Sequence, residues 1–205
     1  RSTLFPYTTL FRSPYSGKAA HPGPAQWTDA DNASHLKLSL AEGATTVIGV
    51  STRPRIIELS AKDFDAYLKH DGVEDTLKAR QNAGTSKALV KERYSKHVRT
   101  LVQVGDRRTE DYKKALGYPV EIIPARNPLD VKPGEELAFT VLFKGKPLAN
   151  QLVYANYDGH QPHSEGGHSH GAKLRTAPDG TAKLKVGQTG KWYMEIGRAS
   201  CRERV

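Results

Sequence analysis

Apolar positions along this chain alternate with a period of two over most of its length and switch to a helical period in one central stretch. His35 to Gly43, HLKLSLAEG, sets Leu36, Leu38 and Leu40 against Lys37 and Ser39, the pattern of a strand with one buried face. TTVIGVST comes after the Gly43 turn and is rich in β-branched residues. Pro54 cannot donate to a ladder and interrupts, and RIIEL, Arg55 to Leu59, resumes. The period then changes. Ser60 is placed to cap a helix with Asp63 three residues on, and Phe64, Tyr67 and Leu68 fall on one helical face before Gly72. VEDTLKARQNAG continues helically to Gly84, and Leu89, Arg93, Tyr94 and His97 to Val98 keep helical spacing, which predicts a helical insertion over about 61–98. Leu101, Val102 and Val104 return to a strand pattern.

Beyond the crossover at Gly105 to Gly117, Val120, Ile122 and Ile123 make a short strand, and Pro124, Pro128, Pro133 and Gly134 punctuate the stretch after it. Leu137, Phe139, Val141 and Phe143 fill one face of the next strand. A turn at Lys144 to Pro147 leads into Leu148 to Tyr157. Asp179-Gly180 is a hairpin turn before Ala182, Leu184 and Val186, and KWYMEI puts Trp192, Met194 and Ile196 opposite Tyr193. The expected fold is mainly β: two small β-sandwich-like domains, residues 21–125 with the helical insertion and residues 126–196.

Composition narrows the function. Of the 205 residues 37% are hydrophobic and 26% charged, as in folded proteins, and no apolar run is long enough to cross a membrane. The first string, RSTLFPYTTLFRS, and the last, GRASCRERV, are discontinuous with their neighbours and resemble translated sequencing-adapter sequence. Residues 1–20 are therefore expected to be a non-native or disordered arm, residues 197–205 a non-native tail, and residues 126–196 a truncated domain, with the export signal missing. Cys201, the one cysteine, lies in that tail, which removes thiol chemistry and disulfides from the remainder. Without Arg1 and Arg12, and without the net two charges of Arg198, Arg202 and Arg204 against Glu203, the formal charge falls from +9 to +5. The remaining basic residues alternate with acids, as in KERYSKHVR, so no nucleic-acid footprint is present. No GxSxG, glycine-rich phosphate loop, HExxH or dinucleotide fingerprint occurs, and the chain is expected not to be an enzyme. His70 and His97 are placed at helix ends, where a cation complements the dipole.

One segment carries candidate chemistry. DGHQPHSEGGHSHG holds His160, His163, His168 and His170 within eleven positions, with Asp158 and Glu165 beside them. Imidazoles suit nickel, cobalt, copper and zinc, and carboxylates complete such a shell. In extended backbone His168 and His170 project to one side about 6–7 Å apart. The spacing matches no structured zinc motif, and a hydrophilic loop that merely tolerates histidine is the alternative.

The segments KERYSK, LGYPVEIIP and KPGEEL, with STRPRIIELSAKDFDAYLKHDG, resemble the DUF4198 family from about His35 to Ile196. These are exported bacterial proteins described as similar to the periplasmic component of nickel or cobalt uptake systems. The C-terminal half resembles carboxypeptidase regulatory sandwiches. The resemblance implies a periplasmic protein that binds a transition metal or assists its uptake beside membrane transporter subunits, with a histidine at the mature start. His21 has no evident equivalence to that histidine, and the strand after KWYMEI that would end in a further histidine is not present. A non-catalytic envelope module that binds a protein partner is the second expectation.

Overall fold

The structure, a computed structural model, describes residues 7–12, 19–20, 26–30, 33–40, 43–84, 89–159 and 171–196. The chain runs through β1 (Tyr7–Arg12), β2 (Ala19–Ala20), β3 (Trp27–Ala30), β4 (Ala33–Leu36), β5 (Ala44–Thr52) and β6 (Arg55–Leu59). Helices α1 (Ala61–His70) and α2 (Glu74–Asn82) come next, then β7 (Val90–Tyr94) and β8 (His97–Val104). The remaining strands are β9 (Val120–Pro124), β10 (Glu136–Phe143), β11 (Lys146–Pro147), β12 (Leu152–Tyr157), β13 (Ala172–Arg175), β14 (Thr181–Lys185) and β15 (Trp192–Ile196). The fold is mainly β, as the alternating pattern requires.

Backbone contacts divide the chain into two units, Arg1–Arg55 with Arg93–Tyr118, and Ile56–Glu92 with Pro119–Val205. The pattern along the chain groups the helices and the strand at Val120 with the N-terminal domain; in the fold both belong to the second unit. The reason is contact rather than sequence order: β9 pairs with β10 from Val120↔Phe143 to Pro124↔Phe139, a partner some twenty positions further on.

The first unit is a sheet in the order β2-β1-β5-β8 with a separate hairpin of β3 and β4. β5 is its buried strand, with Ala44, Thr45, Thr46 and Val47 at or near zero exposure, as its β-branched composition favours. Tyr7–Arg12, expected within a non-native or disordered arm, forms β1 and pairs with β5 from Tyr7↔Thr52 to Arg12↔Val47. One expectation is corrected here. Val90 to Val104, in part assigned to helix, forms β7 and β8. β8 pairs with β5 along its whole length, from Ala44↔Val104 to Ser51↔His97, and the long ladder overrides weak helical spacing. α2 thus ends at Asn82. The strand expected over His35 to Gly43 is ladder-paired only to Leu36, although exposure alternates onward to Leu40.

The second unit is built around a sandwich of two sheets. One has the order β11-β10-β14 with β9 also on β10; the other has the order β13-β12-β15. Phe139 and Val141 of β10, Leu184 of β14, and Val153 and Ala155 of β12 form the core between them. Trp192, Met194 and Ile196 pack on it from one face of β15, and Tyr193 on the other face is exposed. The turn into β14 is held by Asp179, whose carboxylate accepts from the Thr181 N–H at 3.0 Å and its hydroxyl at 2.7 Å.

β12 is buried on both faces. Its second face, Leu152, Tyr154 and Asn156, is buried as well. Ser60 caps α1, its hydroxyl accepting from the Asp63 N–H at 3.1 Å. Phe64, Leu68 and Val73 form a small core against Leu59, Tyr67, Leu77 and Val90. The helix ends in a motif that turns the chain sharply: Val73 N–H donates to Leu68 O at 2.8 Å and Gly72 N–H to Lys69 O at 3.2 Å, with Gly72 at φ +69°. That turn sets the end of α1 directly on β12.

Candidate functional site

Strands β12 and β13 are hydrogen-bonded neighbours, from Leu152↔Arg175 to Ala155↔Ala172, and the connection between them carries the predicted metal ligands. Asp158 is exposed, and its N–H donates to Lys191 O at 2.8 Å. His160, His163, Glu165, His168 and His170 lie outside the described residues. The base of the connection is packed: the Tyr157 and Trp192 rings meet at 5.2 Å between centroids, and Trp192 Nε1 donates to Gln188 O at 3.0 Å. Among the described residues no group of three or more His, Cys, Asp or Glu side chains is gathered to hold a metal ion. No helix among them is long and apolar enough to cross a membrane.

A second arrangement, on the same two strands, has no counterpart in the sequence pattern. Where α1 ends on the outer face of β12 and β13, an open groove of about 850 Å³ is lined by Lys69, His70, Glu74, Tyr154, Lys173 and Arg175, among others. Tyr154 is its wall. The residue is 4% exposed, donates its hydroxyl to the His70 carbonyl, and stacks on the His70 ring at 5.9 Å and 22°. Burial, and then the charge of Asp71, pushes the Tyr154 hydroxyl above its ordinary pKa, so it remains a donor at neutral pH. Lys173 Nζ lies 5.5 Å from the centre of the same ring. Arg175 donates from Nη1 to Asn150 O at 3.1 Å and faces Glu74 Oε1 from Nη2 at 3.4 Å. The lining therefore joins three permanent cations to one carboxylate. Lys69 and His70 are separated from Lys173 and Arg175 by about a hundred positions, so no local motif could have marked the groove.

His97 is the third cluster. It opens β8 instead of ending a helix. Its Nδ1 lies 2.8 Å from Ser51 Oγ and its Nε2 3.0 Å from Ser95 Oγ, while its ring meets Tyr118 at 4.9 Å. Ser51 and His97 are direct partners in the β5–β8 register, so the geometry is that of a cross-strand pair.

A family model described as a domain of unknown function, DUF4198, matches residues 17–199, which covers nearly all of both units. The chain belongs to the DUF4198 family. Within this DUF4198 fold, KERYSK forms the end of β7 and the turn into β8, LGYPVEIIP enters and forms β9, and KPGEEL turns into β10. The last is stitched down by Gly134 N–H to Val186 O at 2.7 Å and by Arg126 Nη2 to Glu135 at 2.9 Å. The Lys132 N–H, followed by Arg126, holds the Glu135 carboxyl below its ordinary pKa. Comparisons with curated proteins and with solved structures yield no match.

Proposed function

We propose that this DUF4198 protein is an exported, periplasmic binder of a divalent transition metal, nickel or cobalt in first place and copper or zinc in second, which assists uptake beside membrane transporter subunits. The observation that carries this reading is the direct pairing of β12 with β13. The pairing returns Ala155 and Ala172 to neighbouring positions on a packed sheet, so the four imidazoles and two carboxylates all belong to the one connection that joins these two strands. Confinement raises the effective concentration of each donor at the others, and neutral imidazole with carboxylate is a donor set such ions accept. Imidazoles must lose their proton to bind, so affinity falls as pH drops through about 6.5. In this reading the protein is not an enzyme, and the Ser51–His97–Ser95 hydrogen bonds serve strand pairing and the turn before β8.

Calorimetric titration of nickel into the metal-free chain tests the proposal. The expected result is saturable binding with Kd below about 100 μM, roughly −5.5 kcal/mol, that disappears in the His163→Ala/His168→Ala/His170→Ala variant. Absence of binding by the parent chain, or binding unaltered in the variant, overturns it. A second reading is favoured by the sheet edges: β8 and β15 end their strand orders and expose Val98 and Tyr193 to more than half. Edges of this kind suit a non-catalytic envelope module that captures a protein partner by strand addition, independently of metal.

A further inference from the structure

We propose that the groove between the end of α1 and the β12–β13 pair is a binding site for a small polycarboxylate anion, separate from the histidine connection. Its size is appropriate, since about 850 Å³ falls within the range of small-molecule sites and is far more than a single carboxylate or phosphate fills. Its charge selects the class. Lys69 approaches from the helix, Lys173 and Arg175 from one face of β13, and Glu74 is the opposing carboxylate of the lining. A ligand with carboxylates at both ends meets cations on both walls, which a monovalent anion cannot do.

Arg175 is held before any ligand arrives. It donates from Nη1 to the Asn150 carbonyl at 3.1 Å, while Nη2 faces a weaker neighbour. That neighbour, Glu74, is 64% exposed and lies at 3.4 Å, a pair worth little in water and open to exchange for a ligand carboxylate. Lys173 and Arg175 are two residues apart on an extended strand, so they project to the same side with a spacing of about 6–7 Å. Between the cationic walls, Leu152 at 8% exposure and Tyr154 at 4% form an apolar floor that the carbon skeleton of an organic acid covers. The Tyr154 ring is held by its hydroxyl's bond to the His70 carbonyl and by stacking on the imidazole.

Citrate is the probe. It is titrated at constant ionic strength into the full-length, metal-free chain while the ring resonances of His70 and Tyr154 are followed. Saturable shifts are expected. Lys173→Gln weakens binding about fivefold, and Glu74→Gln tightens it severalfold by removing the competing carboxylate. Lys183→Gln, on β14 in the opposite sheet and paired with Glu136 at 3.3 Å, leaves it unchanged. So does the triple histidine variant, so that failure here and failure of metal binding are separate results. The proposal is overturned by any of three outcomes: no saturation up to about 10 mM, equal weakening by Lys183→Gln, which indicates net charge alone, or equal affinity for inorganic phosphate.

Discussion

Gly72→Ala is the sharpest test of how the helices are seated on the sandwich. Gly72 sits just after α1 with φ +69°, a conformation that costs an L-residue with a Cβ about 1–2 kcal/mol. A second cost is specific to this site. A Cβ there would lie 2.6 Å from Leu152 Cδ2, 3.0 Å from Leu152 Cβ and 3.3 Å from Arg175 Nη2. The Leu152 methyl could rotate aside, but its Cβ is tied to the β12 backbone, so α1 must lift from the sheet, an overpacking penalty of about 1–3 kcal/mol. The expected loss is about 2–5 kcal/mol, the sum of those two costs. Gly84→Ala supplies the control: Gly84 comes after α2 with φ +65°, and among the described residues a Cβ there has nothing within 4 Å, so the backbone cost of about 1–2 kcal/mol is the one expected. Urea unfolding of the full chain, followed by Trp192 fluorescence in a Trp27→Phe background, reads both changes as shifts in midpoint at constant slope. Adding Leu152→Ala to Gly72→Ala should recover part of the loss, so that the double variant is about 1 kcal/mol or more better than the sum of the singles. Equal losses for Gly72→Ala and Gly84→Ala, within about 0.5 kcal/mol, would refute the close helix–sheet contact on which the groove depends.

Ser60→Ala removes the oxygen that accepts from Asp63 N–H at 3.1 Å and is expected to destabilise by about 1 kcal/mol, measured by the same urea titration. Asp111 governs acid sensitivity in the first unit. Burial alone would raise its pKa, but hydrogen bonds from Lys114, at 2.5 Å, and Thr109, at 2.7 Å, outweigh burial and hold the carboxyl below its ordinary value. Since the folded state binds the Asp111 proton less readily, this contribution is complete above the unfolded pKa of about 4 and is lost as pH falls through the folded value. Asp111→Asn should therefore lower stability at pH 7 by about 1–2 kcal/mol, reduced from a fully buried case because Lys114 is half exposed, and should flatten the decline below about pH 4 in thermal unfolding.

The sequence by itself determined the features that short-range physics decides. The capping hydroxyl of Ser60, the glycine that ends the helical stretch at Gly72, the Asp179-Gly180 turn and the strict alternation of Leu137, Phe139 and Val141 act within a few residues of themselves, and each appears in the fold where its pattern placed it. The KERYSK, LGYPVEIIP and KPGEEL segments likewise mark the family without any knowledge of the fold. The tertiary structure decided the rest, for one physical reason: the deciding partner is remote. Val90 to Val104 carries enough helical spacing to suggest helix, yet the backbone of β8 is claimed by β5 some fifty positions earlier. The helices join the second unit because Gly72 and His70 meet Leu152 and Tyr154 across about eighty residues. The groove's cations are ordinary surface lysine and arginine in the sequence, and only the docking of α1 on β12 makes them face one another.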